Sequence, residues 1–195
     1  MKVDANSEIA LAADDALFYV FTDNEIDADY LYQPKHVGEM MPIDNNGWKV
    51  TFETTGKVVE MKELKDWTSF TDDNSIRYYS GHAAYETTFK RKHSPAKDES
   101  VVIDLGMVAD IATVYVNGKQ CGTAWRPPYT VDITQAVKKG KNSLKIVVVN
   151  TWANALQGND EGKAPFTGIW TNGKYRRASK DLLPSGLTSP IMISK

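Results

Sequence analysis

The sequence predicts an all-β protein, an antiparallel β-sandwich of the jelly-roll type. Apolar, β-branched runs of strand length recur at intervals of roughly 8–12 residues, with turn-forming residues between them. No segment shows helical periodicity over more than one or two turns. The clearest signal lies in residues 101–152, where three such runs are separated by Asn-Gly, Pro-Pro and Lys-Lys-Gly breaks. We expect this stretch to form the centre of the sandwich.

The N-terminal part of the chain has the pattern of β-hairpins. Residues 17–22 are a compact aromatic and aliphatic strand candidate, and residues 26–33 alternate apolar with polar side chains. A strong turn signal follows at residues 44–47. After it, residues 48–53 alternate again, and residues 58–61 can pair back on them.

We place a domain boundary after residue 47. Residues 1–47 are predicted to be a small N-terminal β-hairpin appendage, the tail of a preceding β-subdomain. Residues 48–195 are predicted to be the jelly-roll domain. A chain of 195 residues, of which 42% are hydrophobic, is long enough to bury a core without disulfides or metals.

The second domain is predicted to be strands and turns, with one helical turn at residues 63–67 and another between Thr134 and Gly140. Asn117-Gly118 is a type I′ hairpin signal. Residues 144–151 are apolar on two faces, which is typical of an interior strand covered on both sides. Residues 153–186 are rich in Gly, Asn, Pro and Lys and are predicted to be largely a long loop. The predicted strands cover residues 85–90, 101–105, 111–116, 123–125, 129–133, 144–151 and 187–194.

Composition argues against several classes of protein. The net charge is −2 and no basic block is present, so nucleic acid is not a predicted partner. No run of about 18 apolar residues occurs, so membrane insertion is not predicted. Residues 1–16 carry four acidic residues and have no basic or apolar region of the kind that forms a signal peptide. Cys121 is the only cysteine and is expected to be a small strand residue.

The sequence shows no catalytic or metal-binding pattern. A glycosidase needs two carboxylates flanking the scissile bond, and no such pair is identifiable from the setting of the acidic residues. His36, His82 and His93 are not spaced as zinc ligands. No cofactor is predicted; a structural calcium ion stays open, although no dedicated calcium loop occurs.

Aromatic residues next to amides and a cation point to a sugar ligand. Sugars present apolar C–H faces and hydroxyl rings, so their sites combine flat aromatics with planar polar groups. The alternative is that the aromatic rings at 125, 129 and 152 cap the ends of the core, with Arg126 stacked on its neighbour. The candidate carbohydrate-binding residues are Trp125, Arg126, Tyr129, Asn150, Trp152, Asn154, Tyr79 and His82.

Four segments carry a family resemblance: SGHAAYETTF, DLGMVADIATVYVNGKQCGTAWRPPYTVDIT, GKNSLKIVVVNTWANALQGND and LLPSGLTSPIMI. In this order they resemble the C-terminal sugar-binding-type domain of glycoside hydrolase family 106, the α-L-rhamnosidases. They are more distantly similar to the sugar-binding jelly roll of family 2 glycoside hydrolases. The resemblance covers residues 48–195 and implies a galactose-binding-domain-like sandwich within a large, exported, polysaccharide-degrading bacterial enzyme.

The same resemblance implies that this chain is a non-catalytic domain. In family 106 the catalytic carboxylates lie in a preceding (β/α)8 barrel, which alone needs about 250 residues. The implied partners are carbohydrate and the catalytic domain of the parent enzyme. An alternative is a purely structural domain that packs on the barrel through an apolar patch, with Tyr19, Tyr30, Tyr32 and Trp67 as its candidate members. A complete small hydrolase is the least favoured hypothesis.

Overall fold

A computed structural model describes residues 21, 23–24, 36–164, 166, 168–172 and 181–194, the first two of the long range by their backbone only. The strands predicted at residues 17–22 and 26–33 therefore lie outside the described residues, with Phe21 as the one exception.

The described residues are mostly β-strands with a few short helices. A 3-10 turn spans Trp67–Ser69, helix α1 spans Asn74–Arg77 and helix α2 spans Ala153–Asp160. The strands are β1 (His36–Val37), β2 (Met40–Pro42), β3 (Trp48–Phe52), β4 (Lys57–Met61), β5 (His82–Arg91), β6 (Glu99–Ser100), β7 (Val102–Asp104), β8 (Val108–Ala109), β9 (Ile111–Val116), β10 (Lys119–Ala124), β11 (Thr130–Asp132), β12 (Gly140–Val149), β13 (Gly186–Leu187) and β14 (Met192–Ser194).

Two antiparallel sheets form the sandwich. The larger has six strands in the order β10-β9-β12-β5-β3-β4, and the smaller has four in the order β11-β7-β14-β2. Short pairs β1-β6 and β13-β8 flank them, the first parallel and the second antiparallel. This arrangement confirms the predicted all-β antiparallel sandwich.

The core lies between the two sheets and follows the period of the strands. Alternate residues of β12 face inward, so Leu144, Ile146 and Val148 are fully buried. Ile103 and Val131 enter the same cluster from the smaller sheet. The hairpin between β9 and β10 also matches its prediction, because Asn117 and Gly118 have φ of 51° and 80°, as a type I′ turn requires.

The outer face of β12 differs from its prediction. Lys145, Val147 and Val149 are only half-buried, although the strand lies inside the sheet and was expected to be covered on both sides. Within the described residues no helix packs on that face in the manner of a parallel-sheet protein, so the apolar pattern reflects an apolar surface. This face reappears below as a candidate docking surface.

Helix α2 was not predicted. Residues 153–186 were expected to be largely a loop, yet Ala153–Asp160 is helical. Its buried face consists of Asn154, Ala155, Gln157 and Gly158, which are polar or small. Because no apolar stripe repeats with the helical period, the usual sequence signal is absent.

Two other elements are shifted from their predicted places. The predicted helical turn at residues 63–67 is instead the 3-10 turn Trp67–Ser69, which Asp66 caps by accepting from the Thr68 amide. The predicted final strand 187–194 is split into β13 and β14, with Pro190 in the break, since proline donates no ladder hydrogen bond.

The N-terminal boundary is only partly described. β2 pairs with β14, so Met40–Pro42 forms an edge strand of the smaller sheet. Most of the predicted appendage lies outside the described residues, and the boundary after residue 47 stays a prediction. No helix in the described ranges is both long and apolar enough to cross a bilayer.

Candidate functional site

Sheet register brings several candidate residues to one end of the larger sheet. Ala124 of β10 and Val148 of β12 both pair with Ala112 of β9, so these strands are level with one another. β10 and β12 run in the same direction, and their chains continue into Trp125 and Trp152. His82, the first residue of β5, pairs with Val149 at the same end. We call this surface, formed by Trp125, Trp152, His82 and Ile111, the tryptophan end.

The two tryptophans at this end are exposed. Trp125 is 66% exposed and Trp152 is 58% exposed, while Ile111 is 43% exposed. The alternative that these two rings cap the core is therefore wrong. Tyr129 differs, because it is half-buried and packs against the core cluster, as that alternative expected. Two strand spacings, roughly 10 Å, separate the strands that lead into the tryptophans.

Hydrogen bonds to main-chain groups hold the segments next to these rings. In the loop after β10, the Leu105 amide donates to the Tyr129 carbonyl at 2.9 Å, and Arg126 Nη1 donates to the Pro127 carbonyl at 3.1 Å. Next to Trp152, the Thr151 amide donates to Asp110 Oδ2 at 2.8 Å. The two rings thus lie on fixed backbone, which lowers the entropy cost of binding a ligand.

Asn150 is a buried structural group. Its Nδ2 donates to the Tyr79 carbonyl at 2.8 Å and to Ser185 Oγ at 3.2 Å, and its Oδ1 accepts from the Gly81 amide at 3.0 Å. These bonds tie the end of β12 to the start of β5 and to the segment before β13.

Asn154 plays a similar part from helix α2. Its Nδ2 donates to the Leu183 carbonyl at 2.7 Å and to Ser185 Oγ at 3.1 Å, and its Oδ1 accepts from the Leu183 amide at 2.8 Å. The residue is 2% exposed. Its hydrogen bonds fasten α2 to the C-terminal segment.

Tyr79 is fully buried and completes this group. Its ring stands edge-on to Phe52 and Trp67, with centroids 4.9 and 5.4 Å away. Its hydroxyl donates to the His82 carbonyl at 2.7 Å. We call Tyr79, Asn150, Asn154 and Ser185 the buried amide cluster. A sugar contact by its members stays a prediction, and the proposal below rests on the exposed candidates.

Two carboxylates of the described residues, Asp73 and Glu161, have a pKa held below the usual value, the opposite of what a general acid needs. Burial alone would raise the pKa of Asp73, but hydrogen bonds from Lys57 and Ser75 outweigh it and hold the pKa below its usual value. A hydrogen bond from Lys163 lowers the pKa of Glu161. Asp104 and Asp132 accept hydrogen bonds from the nearby backbone amides of Gly106 and Thr134, a local pattern common for aspartate in turns. Burial raises the pKa of Cys121, which therefore stays a thiol.

No cluster of three or more His, Cys, Asp or Glu side chains is placed to hold a metal ion within the residues that the structure describes. The candidate calcium ion thus has no assigned ligands.

A cleft that the sequence did not reveal lies near helix α2. Its volume is about 390 Å³. The sequence does not reveal it because its walls come from four separate stretches of the chain, and one of them includes α2, which was not predicted. The residues that line it include Arg77, Tyr78, Gln157, Glu161, Lys163 and Asp181.

Comparisons with known proteins agree with this geometry. Residues 44–181 match the family described as glycosyl hydrolase 2 galactose-binding domain-like. The chain belongs to this family. The finer resemblance to family 106 stays a prediction, because the match is to the family 2 domain.

Individual relatives are much larger proteins. A putative beta-glucuronidase of Formosa agariphila is 34% identical over an alignment that covers 75% of this chain and 15% of that protein. A solved rhamnosidase from Novosphingobium sp. PP1Y is 32% identical with a TM-score of 0.68, covering 87% of this chain and 16% of its own. A beta-D-glucuronidase of Dictyoglomus thermophilum, at 20% identity and a TM-score of 0.56, covers 83% of this chain and 28% of its own and supports the fold alone. The galactose-binding-like domain thus spans a small part of each relative.

Proposed function

We propose that this galactose-binding-like domain is a non-catalytic accessory module of a larger glycoside hydrolase, and that it contacts carbohydrate through the tryptophan end. The observation that carries the proposal is the exposure of Trp125 and Trp152 at one end of a rigid sheet. Exposed aromatic rings are costly to leave in water and supply large apolar faces for a sugar ring. His82, at the same end, adds a hydrogen-bonding group.

The parent enzyme is proposed to be a polysaccharide-degrading hydrolase of the α-L-rhamnosidase type. The 32% identity to a solved rhamnosidase supports this choice. The catalytic carboxylates are assigned to another domain of the parent, because this chain spans 15–16% of its 32–34% identical relatives. Export of the parent to the periplasm or cell surface is proposed from the sequence resemblance, since a polymeric substrate lies outside the cell.

A second candidate function is docking on the catalytic domain without any sugar. The outer face of the larger sheet favours it, because Val147 and Val149 are half-buried there and Ile111 pairs with Val149 beside them. Of the patch members suggested by the sequence, Trp67 is fully buried, and the three tyrosines lie outside the described residues.

Affinity electrophoresis and calorimetry with rhamnose- and galactose-containing polysaccharides separate the two functions. We expect the wild-type chain to bind and the double variant Trp125→Ala/Trp152→Ala to bind about tenfold or more weakly, since a buried apolar ring face contributes about 1.5–3 kcal/mol. Tyr115→Ala is the matched control, because Tyr115 is half-buried at the opposite end of β9. Equal binding by the double variant would contradict the proposed site, and no binding by the wild type would favour docking.

A further inference from the structure

Arg77 carries a hydrogen-bond donor that the protein leaves unused. Its Nε is shielded from solvent and has no hydrogen-bond partner. The guanidinium carbon lies 5.8 Å from the centre of the Tyr78 ring, which is itself nearly buried. A shielded, unpaired donor on a cation costs free energy unless a ligand satisfies it. Arg77 lines the 390 Å³ cleft beside helix α2.

The other charged groups of this cleft are already engaged. Lys163 Nζ donates to Glu161 Oε2 at 2.8 Å, and Gln157 Nε2 donates to Glu161 Oε1 at 3.1 Å. Asp181, the remaining charged residue of the cleft among those named, also interacts with a neighbouring group. Among the described residues of this cleft, Arg77 is therefore the cation that no carboxylate pairs with, and a ligand that pairs with it should be an anion.

The planar guanidinium of Arg77 and the volume of the cleft limit the kind of ligand. A guanidinium presents a planar fork that matches a carboxylate, so it pairs with one through two parallel hydrogen bonds. The volume falls in the range of small-molecule sites, roughly 300–1,000 Å³. The carboxamide of Gln157 and the hydroxyl of Thr68 add polar groups to the walls. The walls of the cleft thus place side chains able to hydrogen-bond to sugar hydroxyls around a guanidinium able to bind a carboxylate.

We propose that this cleft binds the carboxylate of an acidic sugar, with Arg77 as the anchor. The identification of the ligand as an acidic sugar rests on the proposed function, whereas Arg77 alone indicates an oxyanion such as a carboxylate or a phosphate. The cleft is separate from the tryptophan end: it lies toward Glu161, which follows the last residue of α2, while Trp152 precedes the first.

The wild-type chain provides the first test. Calorimetry would compare glucuronate and galacturonate with their neutral methyl esters and with acetate. We expect each uronate to bind roughly 10- to 100-fold more tightly than its ester, the ratio typical of a hydrogen bond to a charged group. The proposal would be overturned if a uronate and its methyl ester bound with equal affinity, or if no uronate bound at all. Acetate binding as tight as that of uronate would overturn its sugar part.

Variants provide the second test. Arg77→Gln should lower uronate affinity to that of the ester, and Arg77→Lys should restore only part of it, because an ammonium lacks the planar fork. Lys97→Gln, an exposed charge near the opposite end of the sheet, is the control and should leave affinity unchanged. Uronate affinity unchanged in Arg77→Gln would overturn the assignment. Should that variant not fold, as its melting curve would show, the comparison of uronate and ester on the wild type decides.

Failure of this proposal and failure of the proposed function are distinguishable. The Trp125→Ala/Trp152→Ala variant leaves Arg77 in place, so polysaccharide binding and uronate binding respond to different substitutions.

Discussion

The tryptophan end and the buried amide cluster contain the same kinds of residue and have opposite environments. Asn150 and Trp152 are two positions apart, yet Asn150 is 8% exposed and Trp152 is 58% exposed. Asn150 uses its amide to join three segments of the chain, whereas the Trp152 ring faces water. The comparison teaches that an aromatic beside an amide in the sequence is a candidate ligand contact only where the side chain is accessible.

The difference arises where a strand ends. If β12 continued, residues 150 and 152 would point to the same side of the sheet. The strand stops at Val149 and α2 begins at Ala153, so the backbone turns between the two side chains.

The largest expected effect separates two tryptophans. Trp67→Ala should lower the free energy of unfolding by about 3–5 kcal/mol, because it empties a fully buried site in contact with Phe52 and Tyr79. Trp125→Ala should change it by about 0.5 kcal/mol or less, since the ring is exposed. Urea denaturation measures both. A loss above 2 kcal/mol for Trp125→Ala, on the order of a core substitution, would place that ring in the core instead.

A second pair lies on one helix. Asn154→Ala should lose about 2–4 kcal/mol, because it strands the amide and carbonyl of Leu183 without their partners. Asn159→Ala, an exposed site on the same helix, should stay within about 0.5 kcal/mol of the wild type. Equal stability of the two variants would remove the structural role given to the buried amide cluster.

Gly158→Ala tests how closely α2 approaches Tyr78. A Cβ at this position would lie 2.5 Å from Tyr78 Cδ1, so the ring or the helix has to move. We expect a net loss of about 1–3 kcal/mol, although alanine favours a helix over glycine by about 1 kcal/mol. Thermal unfolding, with Asn159→Ala as the control, shows whether the substitution destabilises the protein. A Gly158→Ala variant more stable than the wild type would mean that Tyr78 or α2 moves aside at little cost.

The smallest effect depends on pH. Asp73 caps helix α1, which leads into Tyr79 and His82 and so connects the two regions. Because hydrogen bonds from Lys57 and Ser75 hold the Asp73 pKa below its usual value, the folded state favours the ionised carboxylate.

The added stability of wild type over Asp73→Asn should therefore be complete at neutral pH and fade as the pH falls below about 4. We expect about 0.2–1 kcal/mol, since the pair with Lys57 is partly exposed. Denaturation curves at pH 7 and pH 3 give the difference; a gap that is equal at both would exclude the charge as its source.

The sequence predicts the fold well where burial is one-sided and turns are marked. The alternation in β3, β5 and β9 and the Asn117-Gly118 turn correspond to observed elements. Helix α2 could not be predicted because its buried face is polar. That face packs because Asn154 bonds to Leu183, far along the chain, and Gln157 bonds to Glu161 at the C-terminal end of the helix. The cleft at Arg77 could not be predicted either, because α2 forms one of its walls.

The candidate site was predictable in part. Aromatic and amide types near strand ends could be recognised in the sequence, and the strands next to Trp125, Trp152 and His82 reach the same end of the larger sheet. Their separation from Tyr79, Asn150 and Asn154 depends on where β12 stops, which no local pattern fixes because apolar residues run to its end.

The most direct test of the account is the affinity of the chain for a rhamnose- or galactose-containing polysaccharide, measured for the wild type, for Trp125→Ala/Trp152→Ala and for Tyr115→Ala. The account predicts that the double variant loses about tenfold or more in affinity, while Tyr115→Ala binds like the wild type. The melting temperature of the double variant should stay close to that of the wild type. Undiminished binding by a folded double variant would contradict the central claim that this end of the sandwich meets the carbohydrate.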